Sequence, residues 1–451
     1  MAEHQDMRVT RSGSYIHQHM SIPWEQVTKT GEDVPVRQAR LREKTGIVAR
    51  VGLLMLSCGT AAWRVRNAIN QIAVALGISC TADIGLTTLS LTCFEEDRIC
   101  TETLSLKEPG VNTDKLDTME QFVIGFPEHA ETLTSGQVHE LLDDIAAKKG
   151  NYKAWQGGLS AAIACCGFTF LLGGGIPEMI CAFLGAGFGN WLRRILLGKK
   201  IALIGAIIAS VSVACAVYVG AISLAEALFH VSGAHEAGYI CAMLFVIPGF
   251  PLITGGLDII KVEMRSGLER IAYALLIILT ATLTGWVVAM LLHFKPGNLV
   301  TPELSPVVQT LLRLVTSFAG VYGFSQMFNS PRKMAVYAGC IGMIANTLRL
   351  VLVDYASVPA GAAAFAGALV AGLLASLVKT RVGLPRIALT VPSIVIMVPG
   401  MYMYRGIFNL GVGTMEDGLS WIIRAVLIVM ALPLGLAVAR LLTDTRFRHC
   451  T

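Results

Sequence analysis

The chain has 451 residues, is 54% hydrophobic with a mean hydropathy of +0.62, and has only 15% charged residues, where a water-soluble globular chain carries about a quarter. Residues 1–150 hold 15 Lys/Arg against 20 Asp/Glu, and residues 151–451 hold 21 against 11. This split excludes a single soluble globule and points to a mildly acidic cytoplasmic domain followed by an apolar, basic membrane domain.

The first forty residues lack the apolar core of a secretory signal, so residues 1–44 read as a flexible tail. From Thr45 to Leu76 two amphipathic helices are expected, joined at Gly59-Thr60. Val48, Val51, Met55 and Cys58 form one stripe, Val65, Ile69, Ile72 and Leu76 continue it, and Gly77 is the stop. Leu86–Phe94 alternates, and Glu95-Glu96-Asp97 turns it into Arg98–Leu106, which is a hairpin. Helices around 114–123 and 135–149 complete a small α+β domain, residues 45–150, that reaches the membrane through Gly150 and Asn151. Asp83, His129 and His139 are its tempting groups, but no catalytic motif surrounds them, and Asp143-Asp144 read as a solvated face. A sensing, gating or assembly role is expected there rather than catalysis.

A membrane span needs about 20 mostly apolar residues. Ten candidates follow, at 154–172, 177–192, 201–221, 237–257, 271–292, 306–327, 334–353, 360–378, 387–404 and 420–440. With a cytoplasmic start, the loops on that side hold 16 basic residues, among them Arg193, Lys261, Arg265, Arg270, Lys379, Arg386 and Arg440, against Lys295 and Arg405 opposite. Positive charge resists translocation, so this bias places both the N-terminal domain and the C-terminal tail, 443–451, in the cytoplasm, in a multi-pass protein of the plasma membrane.

Two motifs recur. "NWLRRIL" at Asn190–Leu196 returns as "NTLRLVL" at Asn346–Leu352, 156 residues on, and Pro248-Gly249 with Gly255 returns 151 residues on as Pro399-Gly400 with Gly406. A duplicated unit of five spans is implied, residues 151–295 and 296–442. An odd-numbered unit enters the membrane from opposite sides in its two copies, so the expected fold is a mostly α integral membrane protein. It has ten transmembrane helices as two inverted five-helix repeats behind the small α+β cytoplasmic domain. Proline breaks a helix, and broken backbone is tolerated in lipid only where protein or a wet cavity surrounds it. Pro248, Gly249 and Pro251, with Pro392, Pro399 and Gly400, therefore mark helices facing the interior and lining a path; the alternative is a packing kink.

At these residues the chain resembles the threonine/serine exporter family. "VPGMYMYRGIF" (Val398–Phe408), with Pro399, Gly400, Tyr404, Arg405 and Gly406, carries the resemblance, together with "ARVGLLMLSCGTAAWRVRNAI" (Ala49–Ile69) and the plan of five plus five spans. It covers about residues 45–442. Many members carry an acid where this chain has Arg66. The resemblance implies proton-coupled efflux of small amino acids in a single fused chain, and a two-chain version of the family is linked to dicarboxylate export.

Ionisable groups inside a membrane are costly to bury and therefore candidates for function. Asp258, one helical turn past Thr254, is a coupling or substrate-amine site in one reading and a carboxylate paired with Lys261 or Arg265 in the other. Arg313, Arg349, Arg405 and Arg424 project toward the outer half. Arg349 and Arg405 sit in the repeated motifs and suit a carboxylate, while Arg313 and Arg424 suit the interface. Asn190 with Arg193, and Asn346 in its place in the second copy, hold substrate or lock helices. Glu226, His230, His235 and Glu236 share a loop without convincing metal spacing, and the scattered cysteines read as small buried hydrophobes.

The sequence therefore predicts a secondary-active exporter without metal, cofactor or nucleic-acid partner, working by alternating access. Its partners are the bilayer, protons, a small-molecule substrate (threonine or serine, alternatively a dicarboxylate) and, in an assembly it permits, a second copy. Less favoured readings are a channel and a membrane-anchored sensor.

Overall fold

The computed structural model describes residues 22, 24, 34–229, 236–294 and 304–448, the side chain of Arg446 excepted. His230, His235, Lys295 and most of the expected N-terminal tail lie outside these residues.

The N-terminal domain opens with α1 (Leu41–Ser57) and α2 (Ala62–Ala75). Gly59 turns the chain between them at φ +82, and a Cβ there would meet the Gly110 carbonyl at 2.5 Å, so only glycine fits. The sheet has three antiparallel strands, β1 (Ser79–Ile84), β2 (Thr88–Glu95) and β3 (Arg98–Ser105), in that order. The expected hairpin is β2–β3, and Leu89, Leu91 and Cys93 are buried beneath α1. β1 was not expected: its residues alternate between exposed and half-buried with only Ile84 buried, which weakens its apolar signal. α3 (Thr113–His129) starts at Asn112, whose side chain accepts the Lys115 N–H, and α4 (Ser135–Ala147) starts in a Thr134–Gln137 capping box. Residues expected in the tail join the domain: Val36 is fully buried and Pro35 bridges to Thr134.

The rest is helical: α5 (Ala154–Leu171), α6 (Ile176–Gly198), α7 (Leu203–Phe229), α8 (Glu236–Met243), α9 (Gly249–Ile260), α10 (Met264–Leu291), α11 (Pro306–Met327), α12 (Arg332–Ala356), α13 (Ala360–Val382), α14 (Arg386–Val395), α15 (Gly400–Gly411), α16 (Met415–Thr443) and the short α17 (Thr445–Arg448). Among the described residues seven helices are long and apolar enough to cross a membrane: α5, α7, α10, α11, α12, α13 and α16. Two bent pairs raise the number to nine, α8 with α9 at 67° and α14 with α15 at 49°. The second expected span, 177–192, lies in α6. Its 23 residues suffice in length, but Glu178, Asn190, Arg193 and Arg194 keep it out of the apolar set.

Longer helices turn large side chains outward, for example Leu224 and Leu228 of α7, Leu279 and Leu283 of α10, and Leu427 of α16. A surface this apolar belongs in lipid, and the chain is a multi-pass membrane protein. Its interior contacts are made by small residues. α5 and α11 touch where Gly167 lies under the Thr316 carbonyl and Gly323 under the Ser160 carbonyl, where a Cβ would stand 2.7 and 2.4 Å away. Packing recurs between the halves. α5 meets α6 as α11 meets α12, α6 meets α7 as α12 meets α13, and α9 meets α10 as α15 meets α16.

Candidate functional site

The two bends have the same backbone. Pro248 stands at φ −81, ψ 58 and Pro399 at φ −80, ψ 56, and each is the centre of a tight turn. In one turn the Gly249 N–H donates to the Ile247 carbonyl at 2.9 Å, and in the other Gly400 donates to Val398 at 2.8 Å. This is the inverse γ-turn, which proline favours because its ring presets φ. The turn ends one half-helix and begins the next, α9 or α15, each of 12 residues.

The bends also cross. A Cβ on Gly249 would meet Val395 at 3.0 Å, and one on Gly400 would meet Ile247 at 2.3 Å and Leu244 at 2.9 Å. Val395 and Leu244 stand the same number of residues before their prolines, so each half-helix start rests on the end of the other half's preceding helix. Two helix N-termini, with their positive dipole ends, therefore meet at one crossing. Beside it lies a cavity of about 20 Å³, lined by Leu244, Ile247, Ile278, Thr282, Gly400 and Tyr404. It is the size of a water and admits no amino acid. The Tyr404 hydroxyl is buried there with no hydrogen-bond partner.

Away from the N-terminal domain, at the distal end, Arg405 of α15 closes the bundle on α8. Its Nε donates to Glu236 Oε1 at 2.9 Å and its Nη2 to Oε2 at 2.5 Å, and the guanidinium lies 4.9 Å from the Trp421 ring centre. The paired fork is the geometry in which arginine binds a carboxylate best. The carboxylate expected for Arg405 thus comes from the chain itself.

Nearer the N-terminal domain, at the proximal end, Asp258 has neither Lys261 nor Arg265 as partner. It is fully buried, 3.1 Å from Arg270 Nε, and accepts from Ser266 Oγ at 3.0 Å and from the Ala62 N–H at 2.8 Å. Ala62 is the first residue of α2, so Asp258 caps that helix across the seam. Arg270 completes the clasp with the carbonyls of Thr60 at 2.8 Å and Gly59 at 3.3 Å, and with Thr254 Oγ1 at 3.4 Å. Lys261 instead reaches Phe447, and Arg265 reaches Asp83 and Glu269. Arg66 also crosses the seam, with Nε and Nη2 donating to Glu263 at 2.6 and 2.8 Å. The glycine turn after α1 is therefore the N-terminal domain's plug into the bundle.

The other expected residues lie apart. Asn190 Nδ2 donates to the Gly157 carbonyl at 2.7 Å and Asn346 Nδ2 to Ser317 Oγ at 2.9 Å. Both asparagines hold the second helix of a half to its first, which is the locking role. Arg349 Nε donates to Asn346 Oδ1 at 3.0 Å, while Arg193 Nε is buried with no partner. Pro251 lies in the first turn of α9, half-buried, and Pro392 is buried inside α14. Thr254 donates to the Phe250 carbonyl. Of the remaining arginines, Arg313 pairs with Asp354 and Arg424 lies over Trp421.

A second proximal cluster carried no sequence signal for a site, because its arginines read as loop charges. Trp63 of α2, Arg386 of α14, Arg440 of α16 and Phe447 of α17 surround a cavity of about 30 Å³. Arg440 sits 4.2 Å from the Trp63 ring centre and hydrogen-bonds Asp444 at 3.2 Å. Arg64, paired with Glu120, is pulled down to about 9 by burial and by the neighbouring Arg440 and Arg386. Burial works against the Asp444 charge too, yet Arg440 and Arg386 hold that carboxyl below its usual range.

Comparison with known proteins agrees with a transport role. A family model described as a putative threonine/serine exporter matches residues 46–293, and another, described as threonine/serine exporter, ThrE, matches residues 313–442. The chain is 23% identical over 431 residues to a probable threonine/serine exporter of Mycobacterium tuberculosis, covering 89% of this chain and 77% of that one. It is 25% identical over 250 residues to the probable succinate transporter subunit YjjP of Escherichia coli, covering 55% of this chain and 94% of the subunit. A subunit of the same name from Klebsiella aerogenes is equally similar, with 93% of it covered. No solved structure matches.

Proposed function

The chain belongs to the threonine/serine exporter family, and from that premise we propose that it exports threonine and serine by alternating access, driven by the proton gradient. The observation that carries the reading is the crossing of the two broken helices at Pro248–Gly249 and Pro399–Gly400. Secondary transporters use such half-helix ends, near the midplane, to receive charged groups of the substrate. The matched bends and recurring helix pairs support two inverted repeats of five spans, 151–295 and 296–442, with α6 as the tenth span. In this reading the N-terminal domain, 45–150, and the C-terminus face the cytoplasm of a plasma-membrane protein.

Carboxylate export on the same fold is the second reading. It is favoured by the engagement of Asp258 with Arg270, Ser266 and Ala62, which removes the acid assigned to a substrate amine. Proteoliposomes loaded separately with labelled threonine, serine and succinate, under an imposed pH gradient, test both. Gradient-dependent loss of threonine or serine, each competed by the other, is the expected result. Succinate loss alone reverses the substrate assignment, and retention of all three overturns the exporter reading.

A further inference from the structure

The proximal cavity collects donors that lack acceptors. Arg386 is 9% exposed. Its Nη2 is satisfied by the hydroxyls of Ser376 and Thr443, while its Nε and Nη1 have no hydrogen-bond partner among the described residues. Trp63 Nε1 is buried in the same state. A buried donor without an acceptor is costly, the more so when it carries charge. Three such donors, on two residues that line one cavity, suit an acceptor that carries negative charge. The nearby carboxylate, Asp444, is already bonded to Arg440, and Glu120 is taken by Arg64.

The distal end offers the comparison. Glu236 is the first residue of α8 as Arg386 is the first of α14, and Arg405 stands as far beyond Pro399 as Thr254 stands beyond Pro248. Where the distal end joins these two positions by a carboxylate and a guanidinium, the proximal end has a guanidinium and a threonine.

We propose that the cavity between Trp63, Arg386 and Arg440 binds the carboxylate end of a small organic acid, with Arg386 as its charge partner and the Trp63 indole N–H as a further donor. At about 30 Å³ the cavity admits one end of such an acid and not the whole molecule. Leu257, Leu436 and Phe447 supply apolar wall for a hydrocarbon stem, whereas a phosphate would need polar partners on all sides. An ammonium group finds no unengaged acid here, so a dicarboxylate fits better than a zwitterion. Because Trp63 belongs to the N-terminal domain and Arg386 to the bundle, the bound acid bridges the seam. On the carboxylate reading of the exporter this cavity would load the substrate; that role rests on that reading, but the binding does not.

Calorimetric titration of the full chain in neutral-lipid nanodiscs with succinate, threonine and phosphate tests the site. Succinate should saturate a single site at least tenfold more tightly than either threonine or phosphate. Arg386→Gln should weaken succinate at least tenfold and Trp63→Phe several-fold, with unchanged thermal unfolding. Absence of saturable succinate binding overturns the proposal, as does unchanged affinity in folded Arg386→Gln. If that variant does not fold, unchanged affinity in Trp63→Phe serves the same purpose. Tighter phosphate than succinate binding, or binding that appears only with anionic lipid, assigns the cavity to phosphate and overturns the carboxylate. Vesicle transport separates the two claims. Succinate binding by a protein that moves no substrate keeps the site and overturns the exporter reading. Full transport by an Arg386→Gln protein that no longer binds succinate overturns the loading role.

Discussion

The two ends of the bundle are closed differently. At the distal end the chain supplies both charges, Glu236 and Arg405, in a paired fork backed by Trp421. At the proximal end one clasp, Asp258–Arg270, is spent on seating the N-terminal domain, and the neighbouring Arg386 keeps two nitrogens unpartnered. A two-sided carrier needs ends that can open in turn; on the proposed reading the distal end is sealed from within and the proximal end is completed by a bound acid. On the exporter reading the N-terminal domain would belong to the proximal gate, because α2 contributes both the N–H that Asp258 caps and Trp63.

The largest expected effect separates seating from coupling. Asp258→Asn leaves Arg270, 2% exposed, without its counter-charge, and breaking such a pair costs roughly 3–5 kcal/mol. Thermal unfolding of the full chain should fall by several degrees, and Asp258→Asn with Arg270→Met should recover most of it. If the double variant regains both stability and gradient-driven export, Asp258 is a clasp. Stability without export makes it the proton coupler instead.

The next effect lies away from both ends and isolates pH. His139 is buried, and Arg50 donates to its Nδ1 at 2.9 Å. Burial, then Arg50, pull its pKa down from 6.5 to about 4. Unfolding frees it to bind a proton at 6.5, so its contribution is whole above that pH and is lost as pH falls from 6.5 toward 4. About 3 kcal/mol is at stake. His139→Gln should flatten the acid limb of the stability profile and leave the pH dependence of export in place. Loss of both would make His139 the pH-sensing group of transport.

At the distal end Glu236→Gln should cost about 2 kcal/mol, less than the proximal clasp because that pair is partly exposed. It should also raise passive leak from loaded vesicles, and unchanged leak would remove the seal from the account. The smallest effect belongs to the crossing. Tyr404→Phe removes an unpartnered buried hydroxyl, so unfolding should shift by about 1 kcal/mol or less, toward stability, while export slows several-fold. Normal export would exclude that hydroxyl from the path.

Much of this was legible in the sequence where the signal is local. Gly59 and Gly77 marked the ends of α1 and α2, the alternation of Leu89, Leu91 and Cys93 marked β2, and the recurring Pro-Gly marked both bends. Partners joined through space were not legible. Asp258 reaches Arg270 because the chain reverses between α9 and α10, with Val262 at φ 66, a geometry its β-branched side chain does not announce. Arg386 and Arg440 read as ordinary loop charges, since nothing in their spacing shows that Trp63, more than three hundred residues earlier, closes over them. The asparagines were legible as a pair, and their hydrogen bonds to Gly157 and Ser317 join the first two helices of each half.

Hydrogen–deuterium exchange of the full chain in nanodiscs, with and without succinate, tests the alternation of the two ends most directly. The two ends should respond in opposite directions. Succinate should slow exchange in 61–66, 379–390 and 440–447 at the proximal end and speed it in 236–243 and 404–411 at the distal end. Equal responses at both ends, or a response confined to the N-terminal domain, would contradict it.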